Sequence, residues 1–191
     1  MILSDKDIKK AIQDKQIVIK PSPGEDQFSS TALDLRVNDD FLKWDDNLVR
    51  QPGVIATIDF SKIEFDKLAT AYMKRLPRET NGSFILRPGD FVLVTTYEHV
   101  YLPLSSKIAA RIEGRSTAAR LGFSVHISAP TIHAGWKGNI TLEIVNHGPF
   151  VISIDPRKDR ICQLIFERVS SIPSIGNQTK FQGQRSPTGR S

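Results

Sequence analysis

Residues 111–146 read RIEGRSTAARLGFSVHISAPTIHAGWKGNITLEIVN, and the end of this stretch decides the fold. Across 138–146, Ile140, Leu142 and Ile144 alternate with Thr141, Glu143 and Val145. Side chains along a strand point to opposite faces in turn, so the run reads as a strand with one apolar face. The opposite face carries one carboxylate, Glu143, between Thr141 and Val145. Upstream, Gly114 and Gly122 bracket a short Ser/Thr/Arg loop. A polar loop followed by an acid on a rigid strand suits a site that handles an anion and moves protons.

Outward from this stretch the pattern stays mostly β. STALDLRV (30–37) alternates with period two. FILRPGDFVLVTTYEHVYLP (84–103) reads as two strands joined through Arg87-Pro88-Gly89-Asp90. KIAARIEG (107–114), FSVHISA (123–129), FVISID (150–155) and RICQLIFERV (160–169) read as further strands. QIVIK (16–20) is a short strand before a Pro/Gly turn. At the N-terminus, Ser4 caps a predicted helix that ends near Asp14, with Ile8, Ala11 and Ile12 on its apolar stripe. Residues 38–83 are mixed, with loop signals at 38–40, 51–53 and 81–82 and a partly helical reading for 61–76. Turns recurring about every ten residues predict a mainly β fold, a barrel or jelly-roll-like sandwich, over alternating β/α units.

The 191 residues predict one domain over 1–169 and a tail over 170–191. That tail is rich in Ser, Gly, Gln, Pro and Arg, and reads either as a disordered terminus or as a flap that orders over a bound anion. A net charge of +5 suits an anionic ligand such as a nucleotide. No basic run carries the interleaved aromatics of single-strand binders, so nucleic acid is not an expected partner. No apolar run approaches the roughly 20 residues of a membrane span, and the N-terminus lacks a secretory segment. The expected location is the cytoplasm. The one cysteine, Cys162, lies in the apolar run ICQLIF and reads as a core residue.

Within Gly114–Gly122, Arg115 and Arg120 can pair bidentately with phosphate, and the Ser116 and Thr117 hydroxyls can donate to it. The P-loop ending Gly-Lys-Ser/Thr is missing, so the alternative is a surface turn with one helical turn capped by Ser116. Glu143 is either a solvated surface acid or, if its face lines a pocket, a general acid/base. The residues alone leave both open. None of His99, His126, His133 and His147 has metal-ligand spacing with a cysteine, and His126 reads as a hydrogen-bonded residue of an apolar strand. Asp34, in STALDLR, can help hold Mg²⁺ through water near a triphosphate.

Together these blocks resemble the dCTP deaminase family, whose fold is shared with the trimeric dUTPases. The matching stretches are SDKDI near the N-terminus, SSTALDLR (29–36), LRPGDFVLVTTYEHVYLP (86–103), GRSTAARLG (114–122), HAGWKGNITLEIVN (133–146), RICQLIFE (160–167) and KFQGQ (180–184). The resemblance implies a distorted β-barrel or jelly roll of the dUTPase type with a short N-terminal helix and few others. It implies a homotrimer with active sites shared between subunits, and zinc-independent deamination of dCTP to dUTP. Mg²⁺ would arrive with the triphosphate, and dTTP is a plausible inhibitor. By position, Glu143 matches the catalytic carboxylate, and Ser116 and Arg120 match residues that help the water and base at the reacting centre. Arg115 and Thr117 match phosphate contacts, and the Ala129 backbone meets the cytosine. Ile127, His133 and Trp136 join the substrate-binding set, and Lys180 and Gln184 match tail residues that close over the triphosphate.

Two departures bear on the product. His133 stands where the family often has Asp, and Pro130 follows Ala129 where members with both activities tend to carry Gly. Both tilt the expectation toward deamination alone. A third is Phe181, which stands where some relatives have Tyr. The alternatives are a bifunctional deaminase/dUTP diphosphatase or a dUTPase and, from another class, a dNTP-binding module that turns nothing over.

Overall fold

The computed structural model describes residues 1–51, 54–176 and 179–189. Pro52 and Gly53 of the 51–53 loop signal, and the last tail cation, Arg190, lie outside the described residues.

Two antiparallel sheets carry one core. In the first, Lys137–Asn146 pairs with Phe91–Tyr101. Phe123–Ser124 flanks this pair on one side, and Leu42–Trp44 with Met73–Arg75 on the other; Val18–Lys20 also pairs with Phe91–Tyr101. The second sheet runs in the order Thr131–Ile132, Ile108–Gly114, Arg160–Arg168, Ala32–Arg36, Phe28–Ser29. Val92, Val94, Leu142 and Ile144 from the first sheet and Leu33, Leu35, Leu164 and Phe166 from the second share one buried cluster. The fold is mainly β with few helices, as the alternation predicts. Neither sheet closes on itself, so the architecture is an open jelly-roll-like sandwich rather than a barrel.

The helix Asp5–Gln13 forms where Ser4 predicts it. Ser4 Oγ accepts from the Asp7 backbone N–H, and the Asp7 carboxylate accepts from the Ser4 N–H, each at 3.3 Å. The ambiguous segment 61–76 contains a helix, Phe65–Tyr72, followed directly by the strand Met73–Arg75. Phe84–Leu86 and Phe91–Tyr101 both form, but they part company: the first pairs with Ile152–Ile154 outside the main sheets. The buried Asn146 side chain ties this corner together, donating to Leu86 O at 3.0 Å and Phe150 O at 2.8 Å.

One expected strand is cut short. Of 123–129 only Phe123–Ser124 joins the sheet. The Ser124 hydroxyl donates to His126 O at 2.6 Å, a local bond that competes with ladder pairing, and Pro130 follows without an N–H to give. The chain therefore peels away from the neighbouring strand at His126–Ala129. Just before it, two backbones cross. A Cβ on Gly122, at φ +82°, would lie 2.5 Å from Gly148 N, and one on Gly148 would lie 1.8 Å from Leu121 O. This crossing anchors the end of the Gly114–Gly122 loop.

One buried charge holds the two sheets in register. Glu98, fully buried, accepts from Arg36 N at 2.9 Å, Arg36 Nε at 2.8 Å and Gln27 Nε2 at 3.1 Å. A carboxylate tolerates such burial only when cation and hydrogen bonds meet it together.

Candidate active site

Glu143 lies on the face of Lys137–Asn146 that turns away from the core, in the partly buried set Asn139, Thr141, Glu143, Val145. Its Oε2 accepts from Ile127 N at 3.3 Å, a donor released because residues 126–129 have left the ladder. Burial pushes the Glu143 carboxyl above the ordinary glutamate range; the Ile127 N–H and nearby His126 oppose this more weakly. The group is thus biased toward holding a proton, the property wanted of a carboxyl that takes and returns one.

Glu143 opens into a cavity of about 500 Å³. Ala129, His133, Trp136 and Gln184 line it, as do Thr131 and Thr141. Trp44, Phe65, Phe91 and Leu93 form an apolar wall that the sequence reading did not anticipate. Trp136 is buried, with Nε1 donating to Gly138 O at 3.3 Å, so its ring is fixed. His133 is exposed at the rim, and Ile127 is exposed with its backbone facing the acid.

His126 does not sit in a strand. Its Nε2 lies 3.8 Å from Glu113 Oε2, and its Nδ1 is buried without a partner among the described residues. The hydrogen-bonded strand histidine read from the sequence therefore does not form: Nε2 approaches a carboxylate at a distance too long for a hydrogen bond, and Nδ1 has no hydrogen-bond partner among the described residues.

Ser116–Arg120 forms a five-residue helix beyond this cavity. Ser116 is its first residue rather than its cap; Arg115 holds the cap position with extended backbone and no side-chain bond to the helix. Ser116, Thr117 and Arg120 are exposed. Arg115 Nη1 donates to Arg160 O at 2.9 Å and lies 3.5 Å from Asp34 Oδ2. None of these four loop residues is among the described lining of the Glu143 cavity. Within one chain, then, the Gly114–Gly122 loop and the acid are both present but open onto different depressions.

Asp34 is buried in the middle of the strand Ala32–Arg36. Burial raises its carboxyl above the ordinary range, and Arg115 and Arg160 pull it back. The Arg115 guanidinium lies beside it, so Asp34 is a partner for that cation. Among the described residues, no group of three or more His, Cys, Asp or Glu could hold a metal ion.

The tail packs on its own chain. Gly183 N donates to Lys137 O at 2.6 Å, and Asn139 N donates to Gln184 O at 3.0 Å. Gln184 is buried, its Nε2 donating to Asn139 O at 2.9 Å and Thr141 Oγ1 at 3.0 Å. Gly138, at φ +151°, makes the approach possible: a Cβ there would lie 3.1 Å from Gln184 O and 3.2 Å from the Trp136 ring. Lys180 Nζ pairs with Asp66 at 3.0 Å.

The family model described as dCTP deaminase-like matches residues 2–169. The chain belongs to that family. It is 40% identical to a Methanosphaera stadtmanae protein named dCTP deaminase, dUMP-forming, over 97% of this chain and 91% of that one. It is 37% identical to the dCTP deaminase of Rhodospirillum rubrum, over 98% of this chain and 94% of that one. Among solved structures, the 2'-deoxycytidine 5'-triphosphate deaminase of Agrobacterium tumefaciens superposes with a TM-score of 0.62 at 22% identity. That match covers 88% of this chain and 48% of that one, so the chain spans about half its length and shares its fold. No helix among the described residues is long and apolar enough to cross a membrane.

Proposed function

We propose that the protein is a hydrolase that converts dCTP and water to dUTP and ammonia, with Glu143 as the proton-transferring group. The observation that carries this is the half-buried Glu143 carboxyl facing a nucleotide-sized cavity beside the Ala129 backbone. Relatives at 37–40% identity named dCTP deaminase support the deamination of dCTP, the one at 40% being named dUMP-forming.

The chemistry follows from the carboxyl's bias. Water is a weak nucleophile, and C4 of cytosine is a poor electrophile until N3 carries a proton. Glu143 takes a proton from water as its oxygen bonds to C4, and gives that proton to N3. The new C4 hydroxyl then loses its proton to Glu143, which passes it to the amino group. The C4–N bond breaks, ammonia leaves, the carbonyl of uracil forms, and the carboxylate is restored. Peptide carbonyls near Ala129 accept from the cytosine amine, which rejects uracil because that contact would be lost. Trp44, Phe65 and Trp136 supply apolar walls for base and sugar. A deoxynucleotide substrate implies work in the cytoplasm.

Ser116, Thr117, Arg115 and Arg120 complete the site from a second copy of the chain in a homotrimer. Their separation from Glu143 within one chain supports this reading, because a shared site requires such a division. Co-expressing inactive Glu143→Gln and Ser116→Ala chains tests it. Random mixing in a cyclic trimer restores about a quarter of the sites, whereas unshared sites stay dead. Asp34 holds Arg115 in place for the phosphates, and Mg²⁺ enters with the triphosphate, within reach of Asp34 through water. The tail over 170–191 closes the cavity from above, and dTTP competes for the same pocket.

His133 at the rim favours release of dUTP, since it puts an imidazole where an acid would otherwise help a second hydrolysis. Several relatives named dUMP-forming make the product worth resolving. Incubation of the pure protein with dCTP and separation of the nucleotides tests both points. dUTP is expected; dUMP with pyrophosphate would mark a bifunctional enzyme, and unchanged dCTP would mark a binding module and overturn the proposal.

A further inference from the structure

Beyond the wall that Phe65 gives the cavity, the helix Phe65–Tyr72 takes no part in the proton transfer above, yet it touches the tail at several points. The Phe65 and Phe181 rings meet edge-on, with centroids 6.2 Å apart and planes at 70°. Lys180 Nζ lies 3.0 Å from Asp66 Oδ1 and sits over both rings, 5.9 Å from the Phe65 centroid and 5.1 Å from that of Phe181. Asp66 and Thr70 also line a small depression with Thr188 and Gly189 at the end of the tail. Phe65 and Phe181 both line the Glu143 cavity. The tail is therefore held from two sides, by the strand at Lys137–Asn139 through backbone bonds and by this helix through side chains.

The two halves of the helix contact differ in kind. The Phe65–Phe181 pair is partly buried and apolar, and does not depend on charge. The Asp66–Lys180 pair is exposed, with half of the lysine side chain and 67% of the aspartate side chain open to water. An exposed ion pair contributes little and is weakened by salt. A polyphosphate offers the same ammonium more charge and more acceptor oxygens than one carboxylate can. Asp66 is thus a partner that Lys180 can leave.

We infer that Phe65 and Asp66 are positioning residues for the tail, and that Lys180 exchanges Asp66 for a polyphosphate when one enters the cavity. The aromatic contact keeps residues 179–189 seated, and the ionic contact parks Lys180 where it can be collected. The docking half stands on the contacts alone; the exchange half rests on the reading of the cavity as a triphosphate site.

Limited trypsin digestion of the ligand-free full chain tests the docking half without any nucleotide. Cleavage after Lys180 follows the population in which the tail is lifted. Phe65→Ala is expected to speed that cleavage by roughly tenfold or more, and Phe65→Tyr to restore the slow rate. Cleavage at core sites such as Arg111 serves as the control for unfolding. An unchanged rate after Lys180 in a folded Phe65→Ala variant would overturn the docking role.

Calorimetric titration with inorganic tripolyphosphate tests the exchange half. Removing the competing charge in Asp66→Asn should tighten tripolyphosphate binding severalfold and lower KM for dCTP, with kcat little changed. Phe65→Ala should move KM the other way. A purely structural role would raise KM in both variants, so equal or weaker binding by Asp66→Asn overturns the exchange. Failure of the deaminase reading would instead show as trypsin results that hold while dCTP is not turned over.

Discussion

Glu98 and Glu143 stand on the two longest strands of one sheet, Phe91–Tyr101 and Lys137–Asn146, which pair with each other. Their surroundings are opposite. Glu98 is fully buried and meets a guanidinium, a backbone N–H and an amide. Glu143 is partly buried, has one backbone donor at 3.3 Å and no ion pair among the described residues, and looks into a cavity. A carboxylate whose oxygens are all engaged is fixed in position, which suits holding a fold together. A carboxyl with spare lone pairs and a disfavoured charge is free to exchange a proton. The difference arises from what the neighbouring chain does: Arg36 is delivered to Glu98 by a paired strand, whereas residues 126–129 withdraw from the strand beside Glu143 and leave a gap.

The largest effect expected from disturbing this contrast is on stability at Glu98. Glu98→Gln removes the charge that Arg36 pairs with and should cost about 3 kcal/mol, read as a lower denaturant midpoint. The remaining folded protein should keep its rate per active site. A variant as stable as the wild type would show that the Arg36 contact is not structural.

The pH dependence comes next. Burial raises the Glu143 pKa, and the carboxylate form must accept the water proton, so activity falls as pH drops through that raised value. The acid limb of kcat/KM should lie above the ordinary glutamate range, with a slope of about one decade per pH unit for a single group. A limb at the ordinary glutamate value would mean that the working carboxyl is not desolvated.

A smaller effect follows for Asp34, which touches Arg115 rather than the cavity. Asp34→Asn should raise KM for dCTP severalfold while leaving kcat close to wild type, since it loosens a phosphate contact and not the proton transfer. The smallest effect is on folding at Glu143 itself. A raised folded-state pKa means that the native state holds the proton more tightly than the unfolded chain. Stability is therefore lost as pH rises from the unfolded glutamate value through the raised one. Glu143→Gln abolishes that loss, so its Tm should equal or slightly exceed wild type at neutral pH, and the gap should close in acid.

Much of this was legible in the sequence. The alternation in 138–146 gave both the strand and the face of Glu143, and Ser4 with Asp7 marked the first helix to within a residue. Period two cannot reveal where a strand leaves its partner, so the withdrawal at His126 and its consequence for Ile127 were missed. The helix at Phe65–Tyr72 lay in a segment without clear periodicity, and its value lies in contacts more than 110 residues away at Lys180 and Phe181. Nothing in the strand pattern of 138–146 marks the role of Gly138, which is to let the tail backbone pass. The loop Arg115–Arg120 was recognisable by motif alone, since within one chain nothing brings it to Glu143.

The role of Glu143 is tested most directly by single-turnover conversion of bound dCTP in wild type and Glu143→Gln, with dCTP binding measured on the same samples. The variant should bind dCTP about as well and form dUTP slower by roughly 10³-fold. Conversion at the wild-type rate with intact binding would contradict the assignment of Glu143 as the group that moves the proton.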